Sequence, residues 1–259
     1  MLDKFRKAKQ VELDMLAQMQ NEGKKFTPYA GERPSFADAI RRDEGGLKVI
    51  AEYKRASPSK GDINLGLSAG DVAKMYAAGG ASAISVLTEK EYFKGSLTYL
   101  DEIKPSGLPM LRKDFLTDLM QIDQTLATPA SALLVIVRMF EDDGYLKEMI
   151  EQSHAFGLDA VVEAFDEEDL ARAKKAGAKI LQINNRDLDT LGIDMNRSIE
   201  FIKQKDDGEI WICASGINDP EDCAQMNELG YDTVLIGTSI MSSPDPQAKL
   251  SAMVAGGRS

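Results

Sequence analysis

The sequence predicts an α/β protein, a (β/α)8 TIM barrel with an N-terminal helical extension, and three observations support this prediction. Eight short apolar runs recur along the 259 residues. Amphipathic segments lie between these runs, and several begin with a capping residue and end near a glycine. Strands that alternate with helices over about 250 residues are typical of a closed parallel barrel.

The apolar runs have the composition and length of strands that are buried on both faces. The predicted strands lie at 48–53, 82–87, 109–112, 132–137, 160–163, 179–184, 210–214 and 233–236. Helices are predicted between them, for example at 68–79, 166–177 and 219–230. A doubly wound open sheet is the structural alternative. Such a sheet usually carries a Gly-x-Gly-x-x-Gly turn after its first strand, and this sequence has no such turn.

The remaining residues are predicted to belong to the same domain. Residues 1–45 form the N-terminal extension, with helices at 2–21 and 35–42, and residues 46–245 form the barrel core. Hydrophobic residues make up 43% of the chain, which is enough for a sizeable core. A single domain over residues 1–259 is therefore expected.

Charge and cysteine usage narrow the possible functions. The formal net charge of −11 argues against a nucleic-acid partner and against an anionic membrane surface. Every apolar run is too short to span a membrane. Cys213 and Cys223 do not have the spacing of metal ligands, so reduced thiols in a cytoplasmic protein are expected.

Residues 50–61 form the most informative segment of the chain and read Ile-Ala-Glu-Tyr-Lys-Arg-Ala-Ser-Pro-Ser-Lys-Gly. Glu52 and Lys54 are two residues apart, so on a strand both side chains point to the same face. A carboxylate and an ammonium group are thus predicted side by side at the end of the first strand. A turn rich in hydroxyl, amide and cationic donors follows. The segment indicates a site that binds an anion and transfers protons.

Other predicted strands also end in polar residues. In parallel barrels the active site lies at the carboxyl ends of the strands. The polar residues at these ends are Glu52, Lys54, Lys113, Asp114, Glu163, Asn184 and Arg186. One of them alone would be an ordinary solvated charge, but their recurrence on several strands favours a shared site. The only histidine, His154, lies on a predicted helix, so no Ser-His-Asp system is assigned.

The last two strands carry a different signal. Ser215-Gly216 and Gly237-Thr238 place small residues directly after these strands. Backbone N–H groups at such turns bind phosphate, and the glycines let the backbone approach closely. A phosphate-binding turn pair is therefore predicted.

Five segments together resemble the indole-3-glycerol-phosphate synthase family of tryptophan biosynthesis. They are residues 51–61, Ser-Val-Leu-Thr-Glu at 85–89, Tyr-Phe-Lys-Gly-Ser at 92–96, Leu-Arg-Lys-Asp-Phe at 111–115 and Ile-Asn-Asn-Arg-Asp-Leu at 183–188. The similarity extends from about residue 36 to about residue 241. It implies a (β/α)8 barrel whose N-terminal extension helps to cover the site.

The resemblance also implies a reaction. The substrate is 1-(2-carboxyphenylamino)-1-deoxyribulose 5-phosphate, and the enzyme closes a pyrrole ring with loss of carbon dioxide and water. The product is indole-3-glycerol phosphate. The family uses no cofactor and no metal, and a small phosphorylated molecule is the expected partner of a monomeric enzyme.

Residue roles follow from the same resemblance. Lys113 matches the general acid, Glu163 the general base, and Lys54 a lysine that contacts the substrate carboxylate and protonates the leaving hydroxyl. The residues at catalytic positions are Lys113, Lys54, Glu163, Glu52 and Asn184. The residues at substrate-binding positions are Ser57, Phe115, Arg186, Leu188, Ser215, Gly216, Gly237 and Thr238. Of these, Phe115 and Leu188 are expected to line an apolar slot for the aromatic ring.

Two residues depart from the family pattern. Ala214 replaces a glutamate that contributes to catalysis, and Gln182 replaces a glycine. Both side chains are expected to face the barrel interior, and we hypothesise that Gln182 fills the space left by the glutamate. Losing one positioned electrostatic group typically costs about 10²–10³ in rate, so a slowed synthase is expected.

Two other functions stay open at this stage. The chain could be a catalytically impaired or engineered barrel that binds a phosphorylated ligand without efficient turnover. It could also act on another sugar phosphate with the same lysines.

Overall fold

A closed barrel of parallel strands forms the centre of the computed structural model, which describes residues 2–188 and 190–258. The strands follow the order β1-β10-β9-β8-β7-β6-β5-β4 around the barrel. They are β1 (Lys48–Tyr53), β4 (Ala83–Leu87), β5 (Met110–Lys113), β6 (Ala132–Ile136), β7 (Asp159–Ala164), β8 (Ile180–Asn184), β9 (Ile210–Ala214) and β10 (Thr233–Ile236). This arrangement confirms the (β/α)8 barrel.

Helices cover the outside of the barrel. They are α1 (Leu2–Asn21), α2 (Phe36–Ile40), α3 (Ala69–Gly79), α4 (Thr98–Ile103), α5 (Met120–Leu126), α6 (Asp143–Ala155), α7 (Glu167–Lys175), α8 (Asn196–Phe201), α9 (Pro220–Leu229), α10 (Thr238–Met241) and α11 (Pro246–Gly256). Short 3-10 turns lie at Lys104–Ser106, Val137–Met139 and Ile202–Gln204. Each predicted barrel strand is present, with its ends displaced by at most one residue.

Side-chain caps explain where several helices begin. Ser68, Asp166 and Asp219 each accept a hydrogen bond from the backbone N–H three residues later, which satisfies one free donor of the first turn. At the other end, Gly80 and Gly230 adopt the left-handed conformation that ends a helix. The predicted starts of α3, α7 and α9 were therefore each one residue early, because the capping residue lies just outside its helix.

Two features differ from the prediction. The loop after β1 contains a small antiparallel hairpin, β2 (Ala56–Ser57) with β3 (Gly61–Asp62), where only a turn was predicted. The second helix of the extension is shorter than 35–42, because Ser35 is its N-cap and Arg41 is already extended.

Alternation along the strands decides which side chains enter the barrel. Cys213 on β9 contacts Ser198 of α8, with Sγ and Oγ 3.3 Å apart, so it faces the helices. Its neighbour Ala214 therefore faces the interior, as predicted. Both cysteines are free and buried, and burial raises the pKa of the Cys213 thiol to about 11.

Helix α1 is attached to the barrel by a buried charge network. Lys9 contacts Asp114, which follows β5, at 3.0 Å, and Glu12 at 2.5 Å. Arg112 of β5 contacts Glu12 at 3.3 Å and Asp114 at 3.4 Å. The two cationic side chains and Asp114 are at most 5% exposed, so this network holds α1 against the wall of the barrel beside the carboxyl end of β5.

None of the helices in the described part of the chain is both long and apolar enough to cross a membrane.

Candidate active site

Two lysine–carboxylate pairs lie at the carboxyl ends of the strands. Lys54, directly after β1, contacts Glu52 with Nζ and Oε1 2.6 Å apart. Lys113, the last residue of β5, contacts Glu163 of β7 with Nζ and Oε2 3.4 Å apart. Both carboxylate side chains are 3% exposed, whereas the lysine side chains are 15% and 16% exposed. Each ammonium group is therefore reachable from solvent while its partner lies beneath.

The structure places Lys54 and Lys113 at the same end of the barrel. They belong to strands that β4 separates, and each pairs with its own carboxylate. Convergence of the two ammonium groups on one substrate stays a prediction.

Three donors meet at one oxygen of Glu163. Besides Lys113, Asn184 donates from Nδ2 to Glu163 Oε2 at 3.2 Å, and the Gln182 amide nitrogen also donates to Oε2. The three donors therefore share a single carboxylate oxygen. Such an arrangement fixes the orientation of the carboxylate.

Glu52 lies against the backbone of Gly237. A Cβ atom at position 237 would be 2.3 Å from Glu52 Oε1, so a larger residue here would displace the Glu52 carboxylate. Arg186 is close enough for its charge to interact with Glu52, which offsets part of the lowering of the Arg186 pKa caused by burial. Glu52 thus connects the first strand to the loops after β8 and β10.

Three turns that could hold a phosphate follow neighbouring strands. The strands β9, β10 and β1 are adjacent in the barrel, and Ser215, Gly237 and Ser57 lie just beyond their carboxyl ends. Ser215 and Gly216 adopt left-handed conformations with φ of 68° and 94°. At Gly216 a Cβ would be 2.3 Å from Met195 Sδ, so glycine is required.

The turn after β10 leads directly into the short helix α10. Gly237 is the N-cap of this helix, and Thr238 is its first residue. In such barrels the loops after the last two strands and the start of a short extra helix commonly form a phosphate site. The predicted phosphate-binding residues therefore lie on one side of the mouth.

An aromatic cluster lies at the opposite side of the mouth, after β5. Phe115 stacks on Phe5 of α1, with ring centroids 3.9 Å apart and an interplanar angle of 12°. Phe93 lies 6.0 Å from Phe115, and Tyr92 meets Phe5 edge to face at 5.4 Å. Leu188, after β8, is partly buried against the core. Helix α1 thus covers one face of Phe115, the residue predicted to line the apolar slot.

Residues 2–188 and 190–258 contain no group of three or more His, Cys, Asp or Glu side chains arranged to hold a metal ion.

Comparison with known proteins identifies the family. Residues 2–253 match the family model described as indole-3-glycerol phosphate synthase. The chain belongs to the indole-3-glycerol phosphate synthase family. It is 42% identical over 235 residues to the indole-3-glycerol phosphate synthase of Aquifex aeolicus, covering 89% of this chain and 91% of that one. The synthase of Opitutus terrae is 40% identical over 222 residues, with 83% of each chain covered.

Solved structures agree with the fold. The chain superposes on 3-hexulose-6-phosphate synthase from Salmonella typhimurium with a TM-score of 0.64 and 17% identity, covering 81% of this chain and 98% of that one. At this low identity the match concerns the barrel alone. The indole-3-glycerol phosphate synthase family assignment therefore rests on the sequence similarity.

The two departures from the synthase pattern have different surroundings. Ala214 is 3% exposed and Gln182 is fully buried, and both face the interior. The hydrogen bond of the Gln182 amide runs to Glu163 on β7, whereas Ala214 lies on β9, on the other side of β8. The hypothesis that Gln182 fills the space of a lost glutamate therefore gains no support from this contact.

Sequence reasoning missed two residues that contact predicted site residues, Phe5 beside Phe115 and Gln182 beside Glu163. Phe5 gave no local signal beyond the amphipathic pattern of its helix, because its contact with Phe115 depends on how α1 docks. Gln182 was treated only as a space-filling residue. The parity of β8 predicts that Gln182 faces the interior, but its hydrogen bond to Glu163 depends on the register between β7 and β8.

Proposed function

We propose that this protein converts 1-(2-carboxyphenylamino)-1-deoxyribulose 5-phosphate into indole-3-glycerol phosphate, carbon dioxide and water. The observation that supports this proposal most strongly is the acid–base pair Lys113–Glu163 at the carboxyl ends of β5 and β7, with Nζ and Oε2 3.4 Å apart. The family match over residues 2–253 supports the same substrate.

The first step is formation of a carbon–carbon bond. Lys113 donates a proton to the ketone oxygen while the ring carbon that bears the carboxylate attacks the ketone carbon. Carbon dioxide then leaves, and the electron pair of the broken bond restores the aromatic ring. The reaction needs no external oxidant or reductant, so acid–base groups are sufficient for this chemistry.

The second step is loss of water. Lys54 protonates the hydroxyl that leaves, and Glu163 removes a proton from the carbon next to the nitrogen, which creates the pyrrole double bond. Because Lys113 lies within hydrogen-bond distance of Glu163, the proton gained by Glu163 can return to Lys113. This transfer would reset Lys113 and Glu163, while Lys54, whose side chain is 15% exposed, regains its proton from water.

The remaining residues bind and orient the substrate. Ser57, Ser215, Gly216, Gly237 and Thr238 hold the phosphate, and Phe115 and Leu188 contact the ring. Glu52 orients Lys54 through their 2.6 Å ion pair. Arg186 and Asn184 contact the anthranilate end of the substrate.

Product fluorescence tests the proposal. The parent protein should form indole-3-glycerol phosphate, and Lys113→Met should lower kcat by about 10²–10⁴-fold, the usual contribution of a positioned general acid. Ala214→Glu serves as a comparison, because it restores the glutamate of the family pattern. Activity in Ala214→Glu but not in the parent would favour the alternative that the parent is a catalytically impaired barrel. No activity in either protein would contradict the proposed substrate.

We further infer that the protein acts as a cytoplasmic monomer without a nucleic-acid partner. The net charge of −11 supports the absence of nucleic acid. Large exposed apolar side chains in the described residues are few: Val11, Met15, Leu65, Phe156 and Ile193. Light scattering after gel filtration should give a mass near 28.3 kDa, and a dimer mass would contradict the monomer.

A further inference from the structure

We propose that Gln182 is a positioning residue for Glu163, whose carboxylate it holds in the orientation needed for proton transfer. Gln182 has this role only if Glu163 is the general base proposed above. The side chain of Gln182 does not need to contact substrate, because its effect is transmitted through Glu163.

The register of the barrel places the two residues side by side. Gln182 on β8 is the pairing partner of Glu163 on β7, and both side chains face the interior. The amide nitrogen of Gln182 donates to Glu163 Oε2. The opposite orientation of the amide would turn its oxygen toward a carboxylate that can only accept, so the donor must face Glu163.

Burial distinguishes Gln182 from the other two donors. Gln182 is 0% exposed, whereas Lys113 and Asn184 are partly exposed at the mouth. A substrate that enters the mouth can draw Lys113 and Asn184 into new contacts. Gln182 lies below them and can keep its hydrogen bond to Glu163 throughout the reaction.

The carbonyl oxygen of the Gln182 amide makes no comparable contact. Gln182 Oε1 is buried and has no hydrogen-bond partner among the described residues. Buried polar atoms are nearly always paired, and an apolar side chain of similar size would avoid this unpaired acceptor. The donor to Glu163 is thus the feature that favours a glutamine here.

Replacement by methionine tests the donor. Gln182→Met keeps an unbranched side chain of similar length but cannot donate. We expect kcat to fall about 10–10²-fold, because misplacing a reacting group by about 1 Å can cost this much, while KM changes less than about threefold. Leu181→Met is the control: it lies on the same strand, faces the helices and should leave kcat unchanged. If Gln182→Met fails to fold, as judged by circular dichroism, Gln182→Leu gives the same test, because leucine also lacks a donor and still fills the buried position.

A double-mutant cycle separates this inference from the proposed function. Glu163→Gln should lose nearly all turnover, and adding Gln182→Met to it should cause no further loss, because the amide acts through Glu163. Parent-like kcat in Gln182→Met, or an additional loss in the double variant, would overturn the positioning role. Parent-like kcat in Glu163→Gln would instead refute Glu163 as the base.

Discussion

At the residue scale, contacts between side chains that are close in the sequence could be predicted. Contacts between side chains of different strands could not. Glu52 and Lys54 share a face because they are two residues apart, and their 2.6 Å contact follows from this local rule. The contact of Gln182 with Glu163 depends on the register between β7 and β8. That register is set by packing of the whole barrel, so no local pattern gives it.

Gly237 shows that one residue can have two functions. It was predicted as a phosphate-binding glycine, and the structure adds that the Glu52 carboxylate occupies the place of a side chain at this position. Gly237 therefore influences the Lys54–Glu52 ion pair as well as the proposed phosphate turn.

Gly237→Ala should lower kcat/KM by about 10²-fold, because the new methyl group displaces Glu52 and misplaces Lys54. Product fluorescence with varied substrate gives the value. Gly70→Ala in α3 is the control, since its Cβ would meet its nearest neighbour, Glu102 O, at 3.4 Å. Equal kcat/KM in Gly237→Ala and the parent would mean that Glu52 has no part in catalysis.

At the element scale, strands and helix caps were predicted well because their signals are short-range. The eight strand positions follow from apolar runs, and Ser68 and Asp219 mark helix starts through their capping side chains. The β2–β3 hairpin was missed because each of its strands is only two residues long. The docking of α1 could not be predicted either, since it depends on buried charges contributed by β5.

Asp114 links α1 to the barrel through its ion pairs with Lys9 and Arg112. Desolvation raises its pKa, but the Lys9 and Arg112 charges and the Thr88 hydrogen bond outweigh this effect, so the pKa of Asp114 lies below its usual value. A carboxylate with a lowered folded-state pKa stabilises the fold above its unfolded pKa of about 4, and this contribution is lost as pH falls through the folded value.

Asp114→Asn should lower the free energy of unfolding at pH 7 by about 3–5 kcal/mol, because it leaves Lys9 and Arg112 buried without full compensation. The difference from the parent should shrink below about pH 4. Urea unfolding at several pH values measures both effects. Asp123→Asn is the control, because Asp123 is exposed on the nearby helix α5. A difference that stays constant down to low pH would contradict the ionised state of Asp114.

At the scale of the whole molecule, the global charge opposes the proposed substrate. The protein carries a net charge of −11, and the substrate is a phosphate ester with a carboxylate. In the proposed function, local cations such as Lys54 and Lys113 therefore bind an anion that the overall field repels.

Raising the NaCl concentration from about 10 mM to about 150 mM should increase kcat/KM about two- to threefold, because the Debye length falls from about 30 Å to about 8 Å and the long-range repulsion is screened. Steady-state kinetics at low substrate concentration measures the change. A steep decrease with salt would show instead that the local cations dominate the approach of the substrate.

The stack of Phe5 on Phe115 has a consequence for ligand affinity. Phe5 covers one face of the Phe115 ring, so an incoming ring that uses this face competes with a side chain of the protein itself. Binding of that ring must then displace Phe5, so its binding free energy is reduced by the free energy that holds α1 in place. Substitutions at Lys9 or Glu12, which belong to the charge network that attaches α1 to the barrel, would accordingly change the affinity for an aromatic molecule.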